Sequence, residues 1–292
     1  MEDLNEKLCN AAERGDIYLV KDCLHKGADV HYKDSFDETL LHCAVRRGST
    51  EVIKVLVEAG ASLSAVEQRG WTPLHMAAVM AETEVTKVLV EAGASLSTED
   101  KHGRTPLHLA AEAGKRDVMK VLMEARPSLS AVDKQDRTLL HLAAEAGKTD
   151  VIKVLMEAGV SLSAVDNKGQ TPLHLAAVKG NTEVMKVLME ANASLSAVDN
   201  KGRTPLHLAA QEGNTEMTKV LMEAKASLSP MDKLGRTPLH LAAQEGNTEM
   251  TKVLVEAGAS LTAVDNKGKT PHDVAPDNVK KLLQDQGKGS QE

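Results

Sequence analysis

Apolar and polar positions alternate with a helical spacing along residues 202–224. Two sets of apolar residues follow the i, i+3, i+4 pattern: Leu206, Ala209 and Ala210, then Met217, Val220, Leu221 and Ala224. Gly213 lies between the two sets and predicts the end of the first helix. The pattern therefore predicts two short antiparallel helices, each too short to be stable alone.

The residues around these two sets predict where each helix begins. Thr204 is an N-cap residue type, and Pro205 follows it at the first helical position, where a missing N–H costs nothing. Asn214 or Thr215 is expected to cap the second helix. The opposite, solvent-facing side of the second helix carries Glu216, Lys219 and Glu223.

This segment is repeated along the chain. GRTPLHLAAQEGNTEMTKVL occurs unchanged at 202–221 and 235–254. A short element recurs at a constant spacing: TLLH at 39–42 and 138–141, and TPLH at 72–75, 105–108, 171–174, 204–207 and 237–240. Diverged copies begin at Glu6 and Thr270. A segment copied in tandem predicts a structural module that stacks on its neighbours to bury its apolar face.

TPLH followed by LAA, at a period of about 33 residues, resembles the ankyrin repeat family. The resemblance implies an all-α ankyrin-repeat solenoid of antiparallel helix pairs. It also implies that the linking stretches, such as SLSAVDNKG, form β-hairpin-like finger loops.

The resemblance covers nearly the whole chain. We expect one ankyrin-repeat domain over residues 1–287, with nine repeats that start near 1, 34, 67, 100, 133, 166, 199, 232 and 265. The first and last repeats are expected to be polar caps. The last helix is predicted over 278–286, with Val279, Leu282 and Leu283 inward, and residues 288–292 are predicted to be a frayed tail.

Composition narrows the class of protein. Aromatic residues make up 1% of the chain, so Leu, Val, Met and Ala must fill the core, which suits thin helical layers. The net charge of −7 argues against nucleic-acid binding. The sequence contains neither a secretory signal nor a run of about 20 apolar residues, so we expect no membrane association and a cytoplasmic location, with the nucleus as an alternative.

Seven motif histidines are candidate metal ligands: His42, His75, His108, His141, His174, His207 and His240. Stacked helices lie about 10 Å apart, whereas zinc needs nitrogens at about 2 Å. Equivalent histidines therefore cannot share an ion. We expect instead that each ring bonds to its motif threonine and to the neighbouring turn.

The three cysteines, Cys9, Cys23 and Cys43, are interpreted as small, reduced core residues, with a redox or metal role as the alternative. The sequence contains no phosphate-binding glycine loop, no nucleophile elbow and no zinc-ligand spacing. We predict no enzyme, no cofactor, no metal and no catalytic residue.

In ankyrin-like arrays partners usually dock on the fingers and the first helices. The finger edge of this chain is basic, which predicts binding of an acidic partner segment. The residues that form this edge are Arg69, His102, Arg104, Arg137, Lys168, Lys201, Arg203 and Arg236. The alternative is that these cations pair with the aspartates that open each turn, among them Asp100, Asp133, Asp199 and Asp232.

A second candidate surface is aromatic and lies toward the N-terminus. It combines the finger residues Tyr32, Phe36 and Trp71 with the first-helix residues Arg46, Arg47, Val79 and Met80. Exposed Trp and Arg often dominate interface energetics. The alternative for Trp71 is packing over its own turn.

Several residues depart from the family pattern. Arg126, Asn192 and Lys225 replace the glycine that ends a second helix, Asp37 and Asp136 replace a turn glycine, and Ala81 replaces the glycine between helices. Because Arg and Lys adopt the left-handed conformation at some cost, we predict softer joints near 81, 126 and 225.

The sequence thus predicts a non-enzymatic module, a monomeric scaffold or adaptor, that binds another protein through a concave groove and finger loops. Two alternatives remain open: a spacer or engineered repeat scaffold without a natural ligand, and the ankyrin fragment of a larger regulatory protein.

Overall fold

The structure is a computed structural model that describes residues 3–80 and 82–289. This part of the chain forms short helices joined by loops, in two compact units, Met1–Leu139 and Leu140–Glu292. The first unit contains α1 (Leu4–Arg14), α2 (Ile17–His25), α3 (Leu40–Arg47), α4 (Thr50–Glu58), α5 (Pro73–Met80), α6 (Thr83–Glu91), α7 (Pro106–Ala113) and α8 (Arg116–Glu124).

The second unit begins within α9 (Leu139–Glu145). It continues with α10 (Thr149–Glu157), α11 (Pro172–Lys179), α12 (Thr182–Glu190), α13 (Pro205–Glu212), α14 (Thr215–Glu223), α15 (Pro238–Gln244), α16 (Thr248–Glu256), α17 (Pro271–Val274) and α18 (Asp277–Gly289). The all-α helix pairs expected from the apolar spacing are confirmed. A single expected domain over 1–287 stays a prediction.

The caps of α13 explain why a first helix forms at this position. Thr204 is the N-cap, its side chain accepts from the His207 N–H, and the His207 ring in turn bonds to the Thr204 N–H. Pro205 occupies the first helical position. Gly213 ends the helix in the left-handed conformation, with φ 72°. This conformation is natural for glycine and costly for residues with a Cβ.

The core of the second unit consists of layers of small and branched side chains. Ala210, Leu239, Ala242, Met250 and Leu254 form one cluster and are almost fully buried. Each buried leucine stabilises the fold by about 2 kcal/mol, and the alanines allow first helices of neighbouring repeats to approach closely. The residues of the repeated apolar pattern thus form the contact between neighbouring repeats.

The second helix differs from its predicted inward face at three positions, and one of them is Ala224, which is half-buried. Met217 and Leu221 are buried as expected, but Val220 is only half-buried. Thr218 is fully buried instead, and its hydroxyl has no hydrogen-bond partner within the described residues. A threonine in a polar sequence context gave no signal for this burial.

The side chain of Asn214 forms hydrogen bonds to the preceding repeat and not to its own helix. It occupies the N-cap position of α14, but its side chain makes no cap bond there. Its Nδ2 donates instead to the carbonyls of Ala177 and Val178 at the end of α11, both at 2.9 Å. Carbonyls at a helix C-terminus lack hydrogen-bond donors within the helix. The Asn214 amide, which belongs to the next repeat, is the donor for these two carbonyls.

The fingers are the loops that lead from a second helix to the next first helix, and each contains a tight turn. In the finger that contains Asp199, the Asp199 N–H donates to the Arg203 carbonyl at 3.0 Å. Adjacent turns are also joined, because Asn200 N–H donates to the Lys168 carbonyl and Lys233 N–H to the Lys201 carbonyl, each at 2.9 Å. These bonds hold the finger turns of the second unit side by side.

Five non-glycine residues adopt the left-handed conformation in the described part of the chain: Asp37, Arg126, Asp136, Asn192 and Lys225, with φ between 55° and 62°. Each of them stands where the repeat pattern has glycine, and this part of the expectation is confirmed. Softer joints near 126 and 225 stay a prediction, and Ala81 lies outside the described residues.

Replacing Lys225 with glycine is expected to stabilise the chain by about 1 kcal/mol, because glycine adopts the left-handed conformation without the steric cost of a Cβ. Urea unfolding of Lys225→Gly measures this change, and amide exchange around residue 225 should slow. Gly258→Lys is the matched control at the equivalent joint, where φ is 88°, and should destabilise. Equal stability of all three proteins would contradict the prediction.

The C-terminal helix extends beyond its predicted end. Val279 and Leu283 are buried in a cluster with Ala243 and Ala275, as the inward face requires, whereas Leu282 is half-buried. The helix continues through Gly289, three residues beyond its predicted end, and the frayed tail over 288–292 stays a prediction. One interior glycine, Gly287, is tolerated because it weakens a helix by only about 1 kcal/mol. Residues 290–292 lie outside the described residues.

Candidate protein-binding surface

The finger turn that begins at Asp199 is organised around this buried carboxylate. Asp199 Oδ1 accepts from the backbone N–H groups of Lys201 and Arg203, each at 2.9 Å, and Oδ2 pairs with the Arg203 guanidinium at 2.8 Å. Burial alone would raise the pKa of Asp199, but the hydrogen bonds from the Arg203 backbone and side chain outweigh it and lower the pKa. Asp199 therefore stays ionised and fixes the turn.

The same arrangement recurs at other arginines of the basic finger edge. These arginines pair with the aspartate four residues earlier at 2.8 Å and have side chains only 15–20% exposed: Arg104, Arg137, Arg203 and Arg236. The ion pair with the aspartate neutralises most of the charge of each arginine within its turn. The pairing that the sequence left as an alternative is what the structure contains for these four residues.

The lysines of the fingers differ from the arginines. Lys168 and Lys201 are exposed at the tips of their turns, and only their backbone groups bond within the finger. His102 is exposed at the equivalent tip in the first unit. The available positive charge of these fingers thus lies on Lys168 and Lys201.

Both lysines line one cavity in the second unit. It has a volume of about 550 Å³ and lies between two finger turns and the first helices α9, α11 and α13. Leu175, Leu208 and Val178 form its apolar part. Glu145 pairs with Lys179 at 3.5 Å and Asp199 with Arg203, so Lys168, Lys201 and Glu212 are the lining charges outside these two pairs. The cavity combines an apolar floor with a net positive mouth.

In the first unit Trp71 is held by two neighbours. Its indole N–H donates to Asp100 of the following finger at 3.2 Å, and the Arg69 guanidinium lies 3.9 Å from the centre of its ring. Arg69 also pairs with Glu67 at 3.3 Å. Trp71 is half-buried, so the structure leaves only part of its ring available to a partner.

The other residues of the aromatic surface vary in exposure. Phe36 is 63% exposed and Met80 is 40% exposed. Arg47 is also exposed, while Tyr32 and Val79 are half-buried. Arg46 forms ion pairs with Glu38 and, at 3.4 Å, with Glu13. The most accessible members of this set are therefore Phe36, Met80 and Arg47.

The fingers also carry a set of exposed apolar side chains that was not predicted from the sequence. Six of them directly precede the acidic residue that opens a turn: Val66, Val132, Val165, Val198, Met231 and Val264. Leu234 is 56% exposed within its turn, where Lys168 and Lys201 stand in other repeats. The recurrence of an apolar residue before the acidic residue, once in each of these repeats, was the available signal.

The motif histidines are structural. In the His207 ring, Nδ1 bonds to Thr204 and Nε2 to the carbonyl of Arg236 in the next finger at 3.0 Å. The expected bonding to the motif threonine and the neighbouring turn is confirmed for this ring and equally for His42, His75, His174 and His240. His108 differs only in its Nε2 partner, the Ala131 carbonyl.

Comparison with family models identifies these repeats. A model described as ankyrin repeats (3 copies) matches residues 8–100, 93–166 and 160–232, and the ankyrin repeat model matches residues 234–266. The chain belongs to the ankyrin repeat family. Its fold is an ankyrin-repeat solenoid, as the motif spacing predicted.

A solved structure supports the assignment. The crystal structure of the human ASB11 ankyrin repeat domain is similar to this chain with a TM-score of 0.67 and 26% sequence identity. The match covers 74% of this chain and 98% of that one. No curated protein sequence matches the chain.

Family membership sets the general class of function. Ankyrin repeats are generally protein–protein interaction modules, and the family is a non-enzymatic interaction fold. Across residues 3–80 and 82–289, none of the helices has the length and apolar content needed to cross a bilayer.

Proposed function

We propose that this ankyrin-repeat chain is a non-enzymatic scaffold or adaptor that binds a partner protein through its finger turns and first helices. The observation that carries the proposal is the cavity of about 550 Å³ in the second unit, which combines Leu175, Leu208 and Val178 with two lysine side chains. An apolar floor with a few charged groups at its edge is typical of a recognition site.

The partner segment that fits this cavity is acidic with an apolar residue beside its carboxylate. Lys168 and Lys201 would attract the carboxylate, since Arg203 is occupied by Asp199. The exposed apolar side chains Val165 and Val198 on the same fingers would add contact area. Charge complementarity of this kind increases the rate of association and favours the correct partner.

The aromatic surface in the first unit is the second contact region. Phe36 and Met80 present apolar area, and Arg47 presents a charge. We expect the chain to act as a cytoplasmic monomer, with the nucleus as an alternative compartment, and to bind neither nucleic acid nor membrane. The net charge of −7 supports the first of these exclusions.

Reversing the charge of both cavity lysines tests the proposal. Lys168→Glu/Lys201→Glu should weaken binding of the captured partner about tenfold or more, and the remaining binding should depend less on salt. Quantitative affinity capture from cells, followed by titration with the purified partner, measures the change. The lysines are preferable to Arg203 because its loss would disrupt the turn.

Lys153→Glu/Lys186→Glu is the matched control, because it makes the same charge change on the exposed faces of α10 and α12. It should leave partner binding unchanged. Equal effects of the two double variants would contradict the cavity as the site. Recovery of no saturable partner by the unaltered chain would favour the alternative of a spacer or scaffold without a natural ligand.

A further inference from the structure

Two thiols meet where the first repeat packs on the second. Cys9 lies in α1 and Cys43 in α3, and their Sγ atoms are 3.8 Å apart. Cys43 is fully buried and Cys9 is 8% exposed. Both cysteines are free thiols. The separation is a van der Waals contact, so a small side-chain movement would bring the sulfurs to bonding distance, about 2 Å.

Cys9 occupies the motif-histidine position of the first repeat. Cys9 stands at the place in the first repeat that His42 takes in the second. The His42 ring bonds to Thr39 and to the Trp71 carbonyl of the third repeat, and so joins its repeat to the next one. Cys9 does not make this two-sided connection: its thiol is a weak donor and acceptor, and it contacts Cys43. The first repeat therefore lacks the link that the motif histidine makes in later repeats, and the thiol pair occupies that place.

We propose that Cys9 and Cys43 form a reversible intramolecular disulfide when the chain meets a peroxide oxidant. The Cys9 thiolate attacks one oxygen of hydrogen peroxide, the O–O bond breaks, and Cys9 becomes a sulfenic acid while the other oxygen leaves as water. The Cys43 sulfur then attacks the Cys9 sulfur and displaces the hydroxyl group as a second water. Two thiols lose two hydrogens and two electrons, and one peroxide is reduced to two waters.

The surroundings assign the order of the two thiols. The hydrogen bond between the two thiols lowers the pKa of Cys9, whereas the same bond together with burial raises the pKa of Cys43. Thiolate character and exposure both favour attack on peroxide, and Cys9 has more of each. Cys9 is thus the thiol that is oxidised first, and Cys43 is the one that resolves it.

The disulfide would fasten the cap repeat to the second repeat. The same two helices are joined by the Glu13–Arg46 ion pair, and the second repeat carries the exposed Phe36 and Arg47. Oxidation would therefore hold the N-terminal end of the first unit in place beside the aromatic surface. The modification itself does not depend on the proposed partner.

Peptide mapping of the full chain tests the disulfide. After treatment with stoichiometric hydrogen peroxide, denaturation, alkylation and trypsin digestion, mass spectrometry should find peptide 8–14 joined to peptide 34–46, with the mass reduced by two hydrogens. Cys23 lies in the separate peptide 22–26 and should be alkylated. Amide exchange in α1 and α2 should slow by about tenfold or more, and dithiothreitol should restore the original rate.

Two variants are controls for the identity of the linked cysteines. Cys23→Ser should form the same link, and Cys9→Ser should form none and show no slowing of exchange. Alkylation of both Cys9 and Cys43 in the treated protein would overturn the proposal. It would also be overturned by a link that involves Cys23, a link between two chains, or oxidation of Cys9 to the sulfinic acid without a link.

Discussion

Lowering the pH from 7.5 to 5.5 is expected to reduce the free energy of unfolding by up to about 7 kcal/mol, summed over five buried histidines. Burial lowers the pKa of these five motif histidines below the ordinary value of 6.5: His42, His75, His108, His174 and His207. In the folded chain these rings resist protonation, whereas in the unfolded chain they bind protons as pH falls through about 6.5.

The free energy of unfolding decreases as the pH is lowered because of this difference in proton binding. Stability is fully present above the unfolded-state pKa and decreases as pH falls toward the folded-state pKa, because the unfolded chain binds more protons. Each histidine contributes about 1.4 kcal/mol between pH 7.5 and 5.5 when its folded pKa lies below that range. Carboxylates contribute little over this range, because the ordinary pKa values of Asp and Glu lie near 4.

Urea unfolding at the two pH values measures the effect. His207→Gln should make the difference between pH 7.5 and 5.5 smaller by up to about 1.4 kcal/mol, since one buried proton site is removed. His102→Gln is the control, because His102 is exposed at a finger tip, and it should leave the difference unchanged. Unfolding free energies that are the same at both pH values would contradict the prediction.

Removing the carboxylate of Asp199 is expected to destabilise the chain by about 3–5 kcal/mol. Asp199→Ala would leave the N–H groups of Lys201 and Arg203 without an acceptor and the Arg203 guanidinium without its ion pair. The Asp199 side chain is only 2% exposed, so water would replace these bonds poorly. Urea unfolding measures the loss, and amide exchange in the 199–203 turn should become fast.

Asp150→Ala is the control for this substitution, because Asp150 is exposed in the first turn of α10. Loss of a charge from the beginning of a helix costs less than about 1 kcal/mol. Asp199→Asn should lie between the two, since its amide oxygen can still accept from the backbone. A cost for Asp199→Ala no greater than for Asp150→Ala would show that the turn does not need its carboxylate.

The fold was predictable because its determinants are local and repeated. Thr204, Pro205 and Gly213 mark the ends of one helix in the sequence itself, and the constant repeat period carries the same marks along the chain. Backbone conformation was predictable for the same reason. Arg126 and Lys225 stand where the repeat has glycine, and both adopt the left-handed conformation.

The charges of the candidate site were not predictable to the same degree. Lys201 and Arg203 are close together in one turn, yet Arg203 folds back onto Asp199 while Lys201 extends into solvent. Which cation is available depends on the geometry of a buried carboxylate, and residue type alone does not specify it. The bond from Trp71 to Asp100 was not predictable for the same reason, because it depends on the packing of two repeats and joins residues 29 positions apart.

Asn214, which reaches back to the carbonyls of Ala177 and Val178, has equivalents in Asn181 and Asn247. In the last repeat Pro276 stands in their place, beside Gly246. The repeats that contain Asn181, Asn214 and Asn247 thus bond to the repeat before them through the same amide, while Lys148 and Lys115 stand at this position in earlier repeats and the final repeat has a different ending. Within this run of repeats, gene duplication or deletion can therefore change the copy number by whole modules without creating a mismatched joint, provided that the terminal module is kept.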